Sequence, residues 1–163
     1  MQEMNNLIKS LDLRPHPEGG FYKEVQRSEV MVLNENDSKK RSALTSIYYL
    51  LAGDDFSSWH RITSDETWYF HDGSDVVIFL FDQNKTLETI QLGLESKVFQ
   101  KTIPANTWFA ARLLSKDNLC LVSCAVAPGF EFDDFEIAKR EELLNEFGFS
   151  PENRQAIEGL TRK

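Results

Sequence analysis

The sequence has little of what marks a disulfide-stapled or a membrane protein. It contains two cysteines in 163 residues, and Cys120 and Cys124, four residues apart on one extended strand, are too far apart for a disulfide. The longest apolar stretches, such as Val76–Phe81, are far shorter than the ~20 residues of a membrane helix. Residues 1–15 lack a signal-peptide core. We expect a cytoplasmic protein whose cysteines are small buried side chains, a thiol nucleophile being the alternative.

Basic charge is also scarce. The chain has 18 Lys and Arg against 26 Asp and Glu, a net charge of −8, and no basic run longer than residues 39–41. Nucleic acid would be repelled, so we expect neither a nucleic-acid nor a membrane partner. A hydrophobic content of 41% and an aromatic content of 12% are typical of a packed globule. The length suits a single domain over residues 1–163.

Short β-prone segments fill the chain from residue 21 to residue 127. Turn-forming groups such as Gly53-Asp54-Asp55 and Asp72-Gly73 separate them, with no helical pattern between. This arrangement predicts an all-β sandwich or closed barrel. The predicted strands are 21–27, 45–51, 58–63, 67–71, 76–81, 86–92, 97–103, 108–113 and 119–127.

Helical spacing of apolar residues is confined to the two ends. Residues 4–11 and 137–147 each predict a short amphipathic helix, and Ser150-Pro151 begins another. The polar and charged segment 34–41 is the predicted flexible loop.

One histidine and one glutamate flank a polar turn in residues 59–73. If the turn centres on Thr63, His60 and Glu66 lie opposite each other with Cβ atoms roughly 4.5–5.5 Å apart. A carboxylate fixes the tautomer of a neighbouring imidazole and raises its basicity, so the pair could move protons. The alternative is that the two groups merely satisfy each other's hydrogen bonds.

This window resembles the first motif of the cupins, which is Gly, five residues, His, one residue, His, three or four residues, Glu, six residues, Gly. His60, Glu66 and Gly73 stand at matching positions, whereas Ile62 occupies the place of the second histidine. No glycine stands five residues before His60.

The second cupin motif is Pro, one residue, Gly, two residues, His. Pro104 matches it, while Asn106 and Phe109 stand where the glycine and the histidine would be. The resemblance implies a metal site of three histidines and one glutamate, of which His60 and Glu66 remain. We therefore expect no metal or other cofactor, since a bound metal would need ligands outside these positions.

Four segments together are similar to the functionally uncharacterised cupin-5 type of single-domain cupin: 15–27, 59–73, 104–112 and 126–135. The most specific is Pro-His-Pro-Glu-Gly-Gly. The resemblance implies an all-β double-stranded β-helix, the jelly-roll barrel of the cupins, with short N- and C-terminal helices. It also implies a homodimer and a likeness in outline to sugar-nucleotide epimerases.

Two further segments have two interpretations each. Residues 15–20 would form either a lid, with His16 and Glu18 reaching a ligand, or a rigid corner between helix and first strand. In residues 128–135 phenylalanines alternate with acidic residues, which predicts a wrap that covers the barrel or a neighbouring subunit.

Aromatic and basic residues supply the remaining candidates for ligand binding. Trp68 and Phe70 share strand parity with Glu66, and together with Phe109 they would form aromatic walls of the site or fill the core. Arg27 and Arg112 are candidates to hold an anionic group.

Three functions remain open on this sequence. The first is a metal-free epimerase or isomerase that acts on a small polar molecule, such as a sugar or sugar nucleotide, through His60 and Glu66. The second is a module that binds or senses a small molecule without changing it. The third is a metal-dependent cupin enzyme.

Overall fold

A computed structural model describes residues 2–34, 38–116 and 118–162. The strands are β1 (Arg14–Pro15), β2 (Phe21–Arg27), β3 (Met31–Asn34), β4 (Lys39–Ser42), β5 (Thr45–Ala52), β6 (Phe56–Ile62), β7 (Asp65–Gly73), β8 (Val76–Phe81), β9 (Leu87–Leu92), β10 (Gln100–Ile103), β11 (Phe109–Leu113), β12 (Leu119–Ala127) and β13 (Phe135–Ile137). The helices are α1 (Gln2–Ser10), α2 (Arg140–Phe147) and α3 (Pro151–Gly159), with a 3₁₀ turn at Phe132–Asp134.

Two antiparallel sheets face each other and enclose the core. One has the order β1-β2-β5-β12-β7-β10 and the other the order β13-β6-β11-β8-β9. From β5 to β13 the chain changes sheet at almost every connection, as it does in a jelly roll. The predicted all-β jelly-roll barrel with short terminal helices is confirmed.

Alternation along the strands decides which side chains enter the core. On β12, Cys120, Val122 and Cys124 are buried between the sheets. Both cysteines are free thiols, as their spacing predicts. On β7, Glu66 and Trp68 are buried while Tyr69 is exposed, which also agrees with the predicted parity.

The terminal helices close the outer faces of the two sheets. Apolar residues of α1 pack on the six-stranded sheet around Leu50 and Leu119. α2 and α3 pack on the five-stranded sheet against Trp59 and Trp108. The Ser150 hydroxyl caps α3 by accepting a hydrogen bond of 3.1 Å from the amide of Asn153. Among the described residues, no helix has the length and apolar character needed to cross a bilayer.

The segment predicted as a flexible loop, 34–41, is partly ordered. Residues 31–34 and 39–42 pair as the β3–β4 hairpin, and residues 35–37 lie outside the described part of the chain. Arg41 is buried and donates two hydrogen bonds of 2.6 Å to the Asp134 carboxylate. The sequence gives no sign of this ion pair, because its partners are distant along the chain.

The predicted hairpin between His60 and Glu66 is wrong. β6 and β7 belong to different sheets, so the turn between them carries the chain across the barrel. His60 lies opposite Phe109 and Ile137 on its neighbouring strands, whereas Glu66 lies opposite Ile103 and Val126 on its own.

Residues 15–20 form a hydrogen-bonded corner. The Glu18 carbonyl accepts from the amide of Ser58 at 2.9 Å, and the Gly19 carbonyl accepts from the Tyr49 hydroxyl at 2.8 Å. The amide of Gly20 donates to the Asp55 carboxylate at 2.8 Å. These bonds favour the rigid corner over the lid.

Gly19 is required in this corner, because its φ is +118° and a Cβ there would stand 2.1 Å from the carbonyl oxygen of Phe56. We expect Gly19→Ala to lower the free energy of unfolding by about 2 kcal/mol or more. The matched control is Gly159→Ala, where a Cβ meets nothing within 4 Å and the change is expected to be neutral or to stabilise by up to about 1 kcal/mol. Urea unfolding measures both, and equal effects would contradict the assignment.

Candidate functional site

A cavity of about 90 Å³ lies between the two sheets, at the end where the corner and the Phe132–Asp134 turn meet. Its inner wall carries the titratable side chains of His16, Glu18, His60 and Glu66. The aromatic side chains that line it are Tyr22, Tyr49, Phe130, Phe132 and Phe135. The exposed residues Arg14, Glu24 and Arg27 stand at its mouth. The cavity is thus a largely aromatic chamber with four proton-carrying groups at its base.

The tautomer of His60 follows from its backbone contact. Its Nδ1 lies 2.6 Å from the carbonyl oxygen of Ser58. Because a carbonyl only accepts hydrogen bonds, Nδ1 carries a proton and donates. In the neutral imidazole Nε2 therefore has the lone pair, and this atom lies 3.2 Å from Oε2 of Glu18.

The tautomer of His16 is the opposite one. Its Nδ1 accepts a hydrogen bond of 3.3 Å from the amide of Glu18, so in the neutral ring the proton is on Nε2. The same Nδ1 lies 3.5 Å from Oε2 of Glu18. This single carboxyl oxygen thus faces a lone-pair nitrogen of each histidine.

An ionised Glu18 between two neutral imidazoles would face two lone pairs with no proton between them. The contacts are favourable only if the carboxyl or one of the imidazoles is protonated. Burial, the largest influence, raises the pKa of Glu18, and it lowers the pKa of His16 and of His60. His16, Glu18 and His60 therefore share at least one proton, and burial favours the neutral carboxyl over a charged imidazolium.

Local irregularities of the backbone bring these groups together. His60 lies opposite Phe109, while Ser57 lies opposite Ala111, so three steps along β6 match two along β11. This is a β-bulge. Because of the bulge, Ser57 and His60 both reach Glu18, and the Ser57 hydroxyl donates to Oε1 of that residue at 2.9 Å.

Glu66 enters the cavity from the six-stranded sheet. Its Oε1 accepts a hydrogen bond of 2.9 Å from the indole of Trp68. Burial raises the pKa of Glu66 to about 7, although the neighbouring His60 lowers it. This carboxyl exchanges its proton near neutral pH, as a general acid or base must. Burial raises the pKa of the Cys124 thiol, another cavity residue, well above its ordinary value, which disfavours the thiol nucleophile.

The other candidates from the sequence are divided between the cavity and the rest of the molecule. Arg27 stands at the mouth. Trp68, Phe70 and Phe109 belong to the core cluster between the sheets, and the Phe109 ring supports that of His60 at 4.1 Å. Arg112 does not line the cavity and lies over the ring of Phe79.

Several residues of the site were missed by sequence reasoning. Ser57 was missed because strict alternation sets it on the opposite face from His60, and only the bulge reverses this. Tyr49 lies on a strand rich in large apolar residues, with nothing to distinguish it as a donor to the corner. Arg14 belongs to a strand of only two residues. The phenylalanines of residues 130–135 cover the barrel, one of the two positions predicted for them.

The side chains at this site do not fit the cupin metal centre. Ile62, which lines the cavity, and Phe109, which packs beneath His60, supply no donor where the motif has histidines. Nδ1 of His60 is engaged with the Ser58 carbonyl, and its Nε2 faces Glu18. Within residues 2–34, 38–116 and 118–162, no three His, Cys, Asp or Glu side chains are grouped as metal ligands.

The raised pKa of Glu66 predicts a pH-dependent stability. Its ordinary value is 4.5 and its value here is about 7, so the protonated carboxyl stabilises the fold below pH 4.5 and this contribution is lost as the pH rises through 7. Between pH 4.5 and 8 we expect the free energy of unfolding of the wild type, measured relative to that of Glu66→Gln, to fall by up to roughly 3 kcal/mol. The variant is the reference because the lowered pKa values of the histidines make the fold more stable as the pH rises. This opposite contribution is present in both proteins.

Urea unfolding at both pH values measures this difference, with Glu88→Gln on the exposed side of β9 as the control that should keep the wild-type profile. A constant difference between wild type and Glu66→Gln would show that Glu66 ionises normally.

Sequence and structure comparisons agree with this fold. A family model described as Cupin superfamily (DUF985) matches residues 5–138. An uncharacterized protein of Saccharomyces cerevisiae is 27% identical, and the match covers 86% of this chain and 78% of the yeast protein.

Solved structures of similar proteins include two that match nearly the whole chain. A hypothetical protein from Leishmania major has a TM-score of 0.87 and 31% identity over 98% of both chains. A protein from Shewanella oneidensis has a TM-score of 0.85 and 37% identity over 97% of this chain and 96% of its own. Oxalate decarboxylase from Bacillus subtilis, with 15% identity, a TM-score of 0.57 and coverage of 93% of this chain and 38% of its own, shares the fold. The chain therefore belongs to the cupin superfamily, in the family designated DUF985.

Proposed function

We propose that this protein is a metal-independent acid–base enzyme, of the epimerase or isomerase class, that acts on a small polar molecule in the cavity. The observation that carries the proposal is the contact between Nδ1 of His60 and the Ser58 carbonyl at 2.6 Å. It turns the lone pair of Nε2 toward Glu18 and so gives the cavity a shared, transferable proton.

The two proton-carrying groups stand on different sheets. His60 is on β6 of the five-stranded sheet, and Glu66 is on β7 of the six-stranded sheet. Inversion of a carbon centre by proton transfer requires a base on one face and an acid on the other. Placement on different sheets therefore suits epimerisation better than the direct contact predicted from the sequence.

The proposed reaction balances without a cofactor. The Glu66 carboxylate takes a proton from a carbon next to a carbonyl, and the C–H electron pair becomes part of an enolate. The His60–Glu18 pair delivers its proton to the opposite face of that carbon. After product release Glu66 gives up the proton that it took, and the His60–Glu18 pair takes one from water. For the opposite epimer the two roles are exchanged, which a pKa of about 7 for Glu66 allows.

The cavity limits the size of the reacting group. About 90 Å³ holds several water molecules or a small organic group, and the aromatic lining would exclude water from the enolate. The reacting carbon with its hydroxyl and carbonyl neighbours suits this space, and the rest of a sugar or an attached nucleotide would extend through the mouth.

Binding without catalysis is the second candidate, and the aromatic lining of the cavity favours it.

The homodimer implied by the family resemblance would bury exposed apolar residues of the β3–β4 hairpin, such as Met31 and Leu33. The homodimer stays a prediction, as does the cytoplasmic location.

Solvent deuterium exchange tests the proposed function across a range of candidate substrates. A panel of monosaccharides and small hydroxy-carbonyl compounds is incubated with the enzyme in D₂O, and deuterium on carbon is followed by NMR. We expect the wild type to introduce deuterium into at least one compound, and both His60→Gln and Glu66→Gln to slow this by 10²–10⁴-fold because each loses a proton-transfer group.

The matched control is His71→Gln, since His71 lies on the exposed outer face of β7, and it should exchange at the wild-type rate. A compound that binds the wild type and is recovered without deuterium would support the binding module instead.

A further inference from the structure

Two arginines stand at the cavity mouth, and one of them is already neutralised. Arg27 donates hydrogen bonds of 3.0 and 2.9 Å to the Glu24 carboxylate and one of 2.6 Å to Glu131. It also donates to the Phe130 carbonyl at 3.1 Å. These bonds occupy its guanidinium, which therefore serves to hold the mouth together.

Arg14 differs from Arg27 in making no direct ion pair. The nearby Asp12 carboxyl, whose pKa is lowered by Lys23 and to a smaller extent by Arg14, is bonded to Lys23. Its guanidinium lies over the Tyr22 ring, 5.0 Å from the centroid, and the antiparallel pairing of β1 and β2 sets these two residues opposite each other. Among the described residues no carboxylate lies within ion-pair distance of it. The residue is exposed and lines the cavity.

Tyr22 connects Arg14 to the proton-carrying groups. The ring of His16 packs edge-to-face against the same Tyr22 ring, with the two ring centroids 4.6 Å apart. The distance from the Arg14 guanidinium to the centre of the His16 ring is therefore at most the sum of these two distances, 5.0 and 4.6 Å. A small molecule held at Arg14 by one end would extend over Tyr22 toward Glu18 and His60.

The charged side chains at the mouth leave one cation without a direct ion pair. Arg14 and Arg27 oppose Glu24 and Glu131 there, and because Arg27 is bonded to both acids, Arg14 is the cation left to meet a ligand. The net charge of the chain, −8, repels anions, so the binding of an anion depends on direct contact with a cation such as Arg14. A guanidinium fork matches the two oxygens of a carboxylate or phosphate.

We infer that Arg14 binds an oxyanion, a carboxylate or a phosphate, at one end of the substrate and thereby selects an anionic small molecule. The inference rests on the proposed function and names its substrate class as a small hydroxy-carbonyl or sugar acid, or the corresponding phosphate ester. Arg27 was also a candidate for anion binding from the sequence. Its ion pairs with Glu24 and Glu131 give it a structural role at the mouth instead.

Calorimetric titration with three probes on one sugar skeleton tests this assignment: glucose, glucuronate and glucose 6-phosphate, at constant ionic strength. We expect the wild type to bind at least one of the two anions about 10-fold or more tightly than glucose, and Arg14→Gln to lose that advantage. The preferred anion identifies carboxylate or phosphate as the recognised group. Arg14 is exposed, so the melting temperature should stay at the wild-type value.

Arg112→Gln is the matched control. Arg112 is also exposed, lies over an aromatic ring at 5.4 Å, and stands outside the cavity, so its replacement should leave the anion affinities unchanged. Wild-type anion affinity in Arg14→Gln would overturn the inference, and so would a wild type that binds glucose as tightly as the anions or binds neither anion saturably.

The test is independent of turnover. His60→Gln should keep the anion preference even though it loses deuterium exchange. If deuterium exchange occurs but Arg14→Gln binds anions like the wild type, the substrate class is wrong while the proposed function stands. If the preference depends on Arg14 but no exchange occurs, the protein is a binding module for the same anion.

Discussion

The site depends on one carboxyl oxygen, Oε2 of Glu18, between Nε2 of His60 at 3.2 Å and Nδ1 of His16 at 3.5 Å. Backbone groups direct a proton away from the facing nitrogen in each ring. A buried carboxylate opposed by two lone pairs is unfavourable, so a proton must remain among the three groups. In the proposed function this shared proton supplies the acid–base chemistry of the cavity.

Much of the surrounding fold serves to hold Glu18 in this position. The corner that contains it needs glycine at residue 19, where a Cβ would strike the Phe56 carbonyl. The β6 bulge turns Ser57 and His60 to the same carboxyl. Elsewhere in cupins a metal ion can fix the inward-pointing ligands. In this chain hydrogen bonds to backbone and hydroxyl groups fix the corresponding side chains.

The sequence was sufficient for the fold and for part of the site. Alternation and turn residues located the strands, and the parity of β7 placed Glu66 and Trp68 inward. It could not reveal the true partner of His60, because the length of a turn does not determine whether two strands pair or enter opposite sheets. The corner residue Glu18 was a candidate without an assigned partner, since its contact with His60 joins residues distant along the chain. A bulge likewise has no signature in strand alternation.

The most direct test of the shared proton is the tautomeric state of the two histidines, measured by ¹⁵N–¹H correlation NMR on protein labelled at histidine. Near neutral pH the account predicts a proton on Nδ1 of His60 and on Nε2 of His16, with signals at the nitrogens facing Glu18 that change in the Glu18→Gln variant. A proton on Nε2 of His60 together with an ionised Glu18 that titrates at its ordinary pKa of 4.5 would contradict it.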